Sequence, residues 1–307
     1  MTTSELDAYQ ADNSGTVPSL SASIARILLT KTPRHAWLAH PRLNPHYRDE
    51  RKPEFDRGEA AHALLIGKGR KIAVLPFDDF RSKAAKEARE AAYAERKIPI
   101  KQRDFAEIEA MVQSARSQLG QISELGKPFE DGQGELPLYW QEGQTHFRSR
   151  LDWLSSDDSV IFDYKTTTNA HPDAFTRKIY DMGYDVQAAF YRRAVRMTGG
   201  PERASFIFIA QEIEAPYALS AIALTPAAID MAERKVEKAI ALWRDCMSSN
   251  VWPGYPARVC HVDPPSWAEW QWNDREAREI DHPEASQIKA MIDWQAPFVS
   301  AKMEDEE

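Results

Sequence analysis

Thr145-His-Phe-Arg-Ser-Arg-Leu-Asp-Trp-Leu154, the turn Ser155-Ser-Asp-Asp158 and Val160-Ile-Phe-Asp-Tyr-Lys-Thr166 form the stretch on which the fold turns. The two outer runs are rich in β-branched and aromatic residues and the middle is turn-forming, which predicts neighbouring antiparallel strands. A strand sends alternate side chains to opposite faces. Phe147, Leu151 and Trp153 are therefore expected on one face, and Arg148, Arg150 and Asp152 on the other. In the next strand Asp163 and Lys165 share a face, with Phe162 and Tyr164 opposite. Two carboxylates and one ammonium then converge on one patch of sheet.

Such acids repel, and each raises the other's pKa. A divalent cation between them removes the conflict, and carboxylate, carbonyl and water oxygens suit Mg²⁺ or Mn²⁺. An ammonium beside such an ion can orient or deprotonate a water while the ion stabilises charge on a phosphoryl oxygen. The chemistry implied is phosphodiester hydrolysis. An ordinary Asp–Lys pair on a surface hairpin is the common alternative, because so short a pattern recurs by chance. Asp152, eleven residues before Asp163 on the same polar face, weighs against it.

Outward from this pair, Leu136–Gln141 and the turn Glu142-Gly143 add a strand, making a three-stranded meander. A helix is expected from about Asp173 to Met197, stopped by Gly199-Gly200-Pro201, then an apolar strand Ala204–Ala210. A strand around Tyr217–Leu224 and an amphipathic helix from Pro226 to about Met247 follow. Upstream, Ser21 or Ser23 caps a short helix that Thr32-Pro33 ends, and the apolar stripe Ala60, Ala61, Leu64, Leu65 marks a helix from Asp56 to Gly67. Ile72–Leu75 reads as a strand, and residues 79–120 as helical with one break at Ile98-Pro99-Ile100. The class is α/β: a central mixed sheet in the order αβββαβ, flanked by helices, with extra helical insertions.

Composition bounds the function. The chain has 307 residues, 43% hydrophobic and 28% charged, as in ordinary soluble enzymes. No apolar run approaches the ~18 residues of a membrane span, and the polar N-terminus lacks a secretory pattern, so no membrane partner and a cytoplasmic location are expected. Two cysteines, Cys246 and Cys260, fall short of the four an iron–sulfur cluster usually takes. Residues 1–18 read as a mobile tail, 19–300 as one domain and 301–307 as an acidic tail. Trp267, Trp270 and Trp272 lie in a Pro-rich segment and are expected to pack as a cover over the core.

A net charge of −8 by itself argues against a polyanionic partner. The charge is segregated, however: between Arg81 and Arg103 eight basic residues face three acids. Lys83, Lys86, Arg89, Lys97 and Lys101, with Arg148 and Arg150, are candidates to track phosphates; a solvated helix face is the alternative. Gln187 and Tyr191, spaced i, i+4, share a helical face behind the Asp163 strand. His62, four residues after Gly58, could complete a metal shell beside Asp152 and Asp163, or simply pack.

Gly58-x-x-x-His62, Arg150-Leu-Asp152, Asp163-Tyr-Lys165-Thr-Thr and Gln187-x-x-x-Tyr191, in that order, resemble the RecB-like branch of the PD-(D/E)xK nucleases. The nearest likeness is to the RecE-type (exonuclease VIII) nuclease domains and their phage relatives. Ser21-x-Ser23…Lys31-Thr-Pro33, Tyr180–Tyr191 and Trp252-Pro-Gly-Tyr255 are similar too, so the resemblance covers roughly residues 19–260. It implies a restriction-endonuclease-like core with His62, Asp152 and Asp163 as metal ligands, joined by the Tyr164 main-chain carbonyl. It implies Lys165 as the lysine that acts on the attacking water, with Gln187 and Tyr191 positioning the substrate strand or supporting Lys165. Glu135, where some relatives carry an additional acid, is a further candidate. The activity implied is Mg²⁺-dependent (or Mn²⁺-dependent) 5′→3′ digestion of linear duplex DNA, exposing a 3′ strand for recombination by a RecT-type annealing protein. A ring-shaped homo-oligomer is implied as well. Cluster-bearing relatives need four cysteines, and this chain has two. An endonuclease of the same fold, and a catalytically silent DNA-binding module, are the alternatives.

Overall fold

The computed structural model describes residues 8–12, 15–48, 53 and 56–281. By internal contacts the chain divides into two compact units, Met1–Tyr255 and Pro256–Glu307. The expected acidic tail at 301–307 lies outside the described residues, as do 1–7 and 13–14 of the expected N-terminal tail.

In the first unit the elements run β1 (Ser19–Ser21), α1 (Ala22–Thr30), α2 (Pro33–Ala39), α3 (Asp56–Ile66), β2 (Ile72–Leu75), α4 (Lys83–Ala94), β3 (Ile98–Lys101) and α5 (Gln102–Leu119). The meander follows as β4 (Gly132–Glu142), β5 (Thr145–Ser155) and β6 (Val160–Thr167). Then come α6 (Pro172–Asp181), α7 (Tyr184–Met197), β7 (Ser205–Glu212), β8 (Leu219–Ala223) and α8 (Pro226–Ser249). Local signals account for several boundaries. The Ser21 hydroxyl accepts from the Ile24 amide at the start of α1, and Thr225 does the same for Ala228 at α8. Asn250, in the left-handed region, ends α8.

Two boundaries differ from expectation. The helix expected over 173–197 breaks at Met182-Gly183, where Gly183 has φ +65° and a Cβ would lie 2.8 Å from Arg26 Cγ. Only glycine fits both the angle and the contact. Ile98-Pro99-Ile100, expected as a break, is β3, which pairs in parallel with β2 in a separate two-stranded sheet. A two-stranded ribbon leaves an edge on which a proline lacking its N–H is tolerated.

The main sheet contains β1, β4, β5, β6, β7 and β8. Phe147, Leu151, Ile161, Phe190, Phe208 and Trp243 belong to the apolar layer shared with α1, α6, α7 and α8. Leu65, Ile108, Phe129, Trp153, Phe162 and Ile209 belong to the other, shared with α3, α5 and the β2–β3 ribbon. Each fully buried Phe or Leu contributes about 1.5–3 kcal/mol, so the sheet is held from both sides. Phe147, Leu151 and Trp153 were expected to share a face. Phe147 and Leu151 do lie in one layer, but Trp153 lies in the other.

The reason is visible in the register. β4 pairs with β5 from Gly132–Ser155 to Glu142–Thr145 and so takes one whole edge of β5. The other edge is divided: β6 pairs only at Trp153 and Leu154, and β1 pairs in parallel at His146–Arg148. Between them β5 and β6 part, leaving a fork at residues 149–152. Glu135, opposite the fork, sits at φ +54° and interrupts its own ladder. A strand with a partner on one edge only is free to twist, and there the alternation between layers slips.

The second unit contains α9 (Ser266–Asp281). The Trp267, Trp270 and Trp272 segment was expected to be irregular and packed. It is helical, and the three rings are 58–67% exposed.

Candidate metal centre and active site

The fork collects the acids. Extending the β5–β6 pairing by one residue sets Asp152 opposite Asp163, and the β4–β5 register sets Glu135 opposite Asp152. One row across three strands therefore reads Glu135, Asp152, Asp163, and all three are buried. Burying three carboxylates without cations would cost many kcal/mol; here each meets one.

His62 reaches the row from α3. Four residues before it, Gly58 lies so near β6 that a Cβ would stand 3.0 Å from Thr166 Oγ1. The missing side chain lets α3 close on the strand and aims the next turn at the fork. His62 Nε2 is 3.1 Å from Asp152 Oδ2, and Nδ1 is 3.4 Å from Glu135 Oε1. One ligand atom from each of His62, Glu135 and Asp152 lies within 4.8 Å of the others, the one such group among the described residues. Asp163 is not in it. Its Oδ1 accepts from Gln187 Nε2 at 3.0 Å, and its Oδ2 pairs with Lys165. The Lys165 ammonium also sits 5.2 Å above the Tyr184 ring.

Electrostatics follow from this layout. Burial pushes Asp163 up to about 6, with the Asp152 charge adding to it and Lys165 opposing. Burial also penalises charge on Asp152, but His62, Lys165 and Arg150 outweigh it and hold the carboxyl well below the usual range. Glu135 is raised by burial against the pull of Arg150 and His62. His62 and Lys165 are both raised, because neighbouring carboxylates overcome the cost of burying their charge. His62 as imidazolium thus stands between two carboxylates, where a cation belongs. Glu135 Oε2 and Asp163 Oδ2 face cations but accept no aligned hydrogen bond. Buried oxygens in that condition, beside an imidazole, make a donor set that fits a hard or borderline divalent ion.

Of the expected residues, the fold brings together His62, Asp152, Asp163, Lys165 and Gln187. Tyr191 is buried in α7 and lines a cavity of about 260 Å³ with Gln187, Tyr184, Arg150, Arg26 and Tyr9. Tyr164 contributes its amide, which donates to Asp152 Oδ2 at 3.0 Å. Glu135, held only as an addition, is central, with Oε2 2.8 Å from Arg150. Counting outward from a two-residue hairpin loop after Glu142 would have placed it opposite Asp152. Tyr184 carried no comparable signal.

The basic candidates separate. Arg148 is buried and committed to Asp12 at 2.6 Å and to the Ser19 hydroxyl at 2.8 Å, so it is withdrawn from solvent and from any phosphate. Arg150 faces Glu135. Lys83, Arg89, Lys97 and Lys101 pair with Glu87, Glu90, Glu95 and Asp104, while Lys86 is exposed on α4. The Lys83 and Lys97 pairs are exposed and worth little, whereas Lys101 and Asp104 are both half-buried.

Residues 32–262 match the model of a family described as a PDDEXK-like domain of unknown function (DUF3799). Among solved structures, a candidate exonuclease from Eubacterium rectale is similar, with a TM-score of 0.56 at 15% identity, over 88% of this chain and 98% of that one. A phage-related exonuclease from Haemophilus somnus 129PT matches at 16% identity and a TM-score of 0.27, over 62% of this chain and 95% of that one. No curated protein matches the chain.

Proposed function

Since the chain belongs to this PDDEXK-like family, we propose that it is a divalent-metal-dependent exodeoxyribonuclease. It degrades linear duplex DNA 5′→3′ and leaves a 3′ strand for recombination by strand annealing. The observation that carries the reading is the buried row Glu135–Asp152–Asp163, with His62 at one end and Lys165 at the other. His62, Asp152 and Glu135 would hold the ion, Mg²⁺ or Mn²⁺, with Asp163, the next carboxylate of the row, as the further ligand that the resemblance implies. A bound ion supplies Lewis-acid stabilisation of charge on the scissile phosphoryl oxygen.

The other roles belong to the chain itself. Lys165, protonated by virtue of its two carboxylate neighbours, donates a hydrogen bond that orients the attacking water. Asp163 and the Tyr184 ring fix the direction of that ammonium. Gln187 holds Asp163 in place from α7, and Tyr191, one helical turn on, bounds the space for the substrate strand. The basic face of α4, led by Lys86, meets the duplex backbone without reading sequence. A homo-oligomer and a RecT-type partner complete the proposal, on the strength of the resemblance.

The test is one gel: linear duplex with 5′- or 3′-blocked ends and supercoiled plasmid, with Mg²⁺ or chelator. Loss of linear duplex alone, stopped by 5′ blocking and by chelator, is the expected result. Cleavage of supercoiled plasmid would make the protein an endonuclease, and no metal-dependent cleavage of either substrate would leave a silent module.

A further inference from the structure

Residues 8–12 were expected to belong to a mobile tail, and the nuclease reading makes no use of them. They are instead built into the molecule beside the acidic row. Tyr9 lies between two arginines of β5: its ring centroid is 5.7 Å from Arg148 Cζ and 5.9 Å from Arg150 Cζ. Tyr139 stands 6.2 Å away on β4. Three residues on, Asp12 is fully buried. Besides its ion pair with Arg148, it accepts from the Ser19 amide at 2.9 Å and the Ser19 hydroxyl at 2.5 Å. The Arg42 guanidinium donates to the carbonyls of Asp12, Gly15, Thr16 and Val17 at 2.7–3.3 Å. On the opposite side, Gln10 accepts from Arg70 at 2.9 Å, and Arg70 pairs with Glu59 of α3 at 3.5 Å. The segment is a strap, tied at one end to the helix that carries His62 and at the other to the strand that carries Arg150 and Asp152.

We propose that this strap is part of the catalytic centre and that Tyr9 is its positioning residue. The ring holds the Arg150 guanidinium, and Arg150 in turn holds Glu135 toward His62 and Asp152. The proposal rests on the reading of His62, Glu135 and Asp152 as a cation site. Arg150 is a long side chain, 27% exposed, and without the ring it is free to turn toward solvent. Glu135, in a left-handed backbone conformation on a strand, would then lose the partner that fixes its carboxylate. The fault would appear in cation affinity before any reaction takes place.

The test is calorimetric titration of the full chain with Mn²⁺, with melting temperature and circular dichroism measured alongside. Wild type should bind, and Glu135→Gln should bind markedly more weakly. Tyr9→Ala should bind about tenfold more weakly, while Tyr9→Phe, which keeps the ring, should bind as wild type. In the Glu135→Gln background Tyr9→Ala should change affinity less than twofold, since the group it positions is gone. If Tyr9→Ala does not fold, Tyr9→Leu removes the ring while keeping bulk and should show the same loss. Wild-type affinity in Tyr9→Ala or Tyr9→Leu would overturn the proposal, as would a full tenfold loss on top of Glu135→Gln. Absence of Mn²⁺ binding in wild type, or wild-type binding in Glu135→Gln, would overturn the cation-site reading itself.

Discussion

A carboxylate with no access to water must be neutralised or paired, and Asp163 shows both pressures: burial lifts it to about 6, and Lys165 pulls it back. Removing either partner leaves the other exposed to that cost. Asp163→Ala and Lys165→Ala are each expected to lower Mg²⁺-dependent cleavage by at least ~10²-fold. Asp163→Ala should also abolish cation binding, whereas Lys165→Ala should keep most of it; cleavage assays and Mn²⁺ titration separate the two. His62→Ala should give a smaller loss of affinity, and full activity there would return His62 to a packing role. A second buried group titrates beside Asp12. His40 Nε2 donates to the Ser19 carbonyl at 3.1 Å, and its Nδ1 accepts from the amides of Arg42 and Leu43. Burial, helped by the Arg148 and Arg42 charges, keeps the ring neutral, with its pKa down at about 4 despite the Ser19 carbonyl and Asp12 nearby. The unfolded chain takes up that proton near pH 6.5, so stability should fall as pH drops from about 6.5 to about 4 and then level off, on the order of 3 kcal/mol in all. His40→Gln should flatten that stretch of a melting-temperature profile relative to wild type; identical profiles would show that His40 does not titrate as described.

At the scale of elements the site is made by two close approaches and one parting. The parting of β5 and β6 beyond Trp153–Phe162 leaves room for the acids. Gly183 lets α6 stop and α7 restart, so that Tyr184 and Gln187 point at Lys165 and Asp163. Gly58 sets α3 against β6. Gly58→Ala would place a methyl 3.0 Å from Thr166 Oγ1, and the helix bearing His62 must give by a few tenths of an ångström. The expected result is a several-fold loss of cleavage with a stability change of no more than about 1–2 kcal/mol. Gly58→Ala with Thr166→Ala, which removes the obstructing oxygen, should restore most of the loss. Failure of that rescue would locate the effect elsewhere. These distances were not legible in the sequence: Gly58-x-x-x-His62 gave the helical spacing, but only the packed pair shows why the first position carries no side chain.

Over the whole molecule, charge is divided between a basic helical insertion and an acidic fork in a chain that is acidic overall. If the insertion tracks the duplex, Lys86→Glu with Lys97→Glu should weaken binding and flatten its dependence on salt, read from affinities at several ionic strengths; an unchanged slope would retire that role. The meander, the facing of Asp152 and Asp163 and the presence of Lys165 beside them could all be reached from the residues, because strand periodicity and turn chemistry are local. So could the family. Other features could not: Glu135 as a central ligand, Arg148 as a buried strut, and Tyr9 with Asp12 as a strap instead of a tail. Trp153 crossing to the second layer was equally hidden. Each depends on which distant segment fills the space beside a residue, and a linear pattern carries no record of that. Spacing along the chain determined which acids could meet; packing across it decided which cation each one faces.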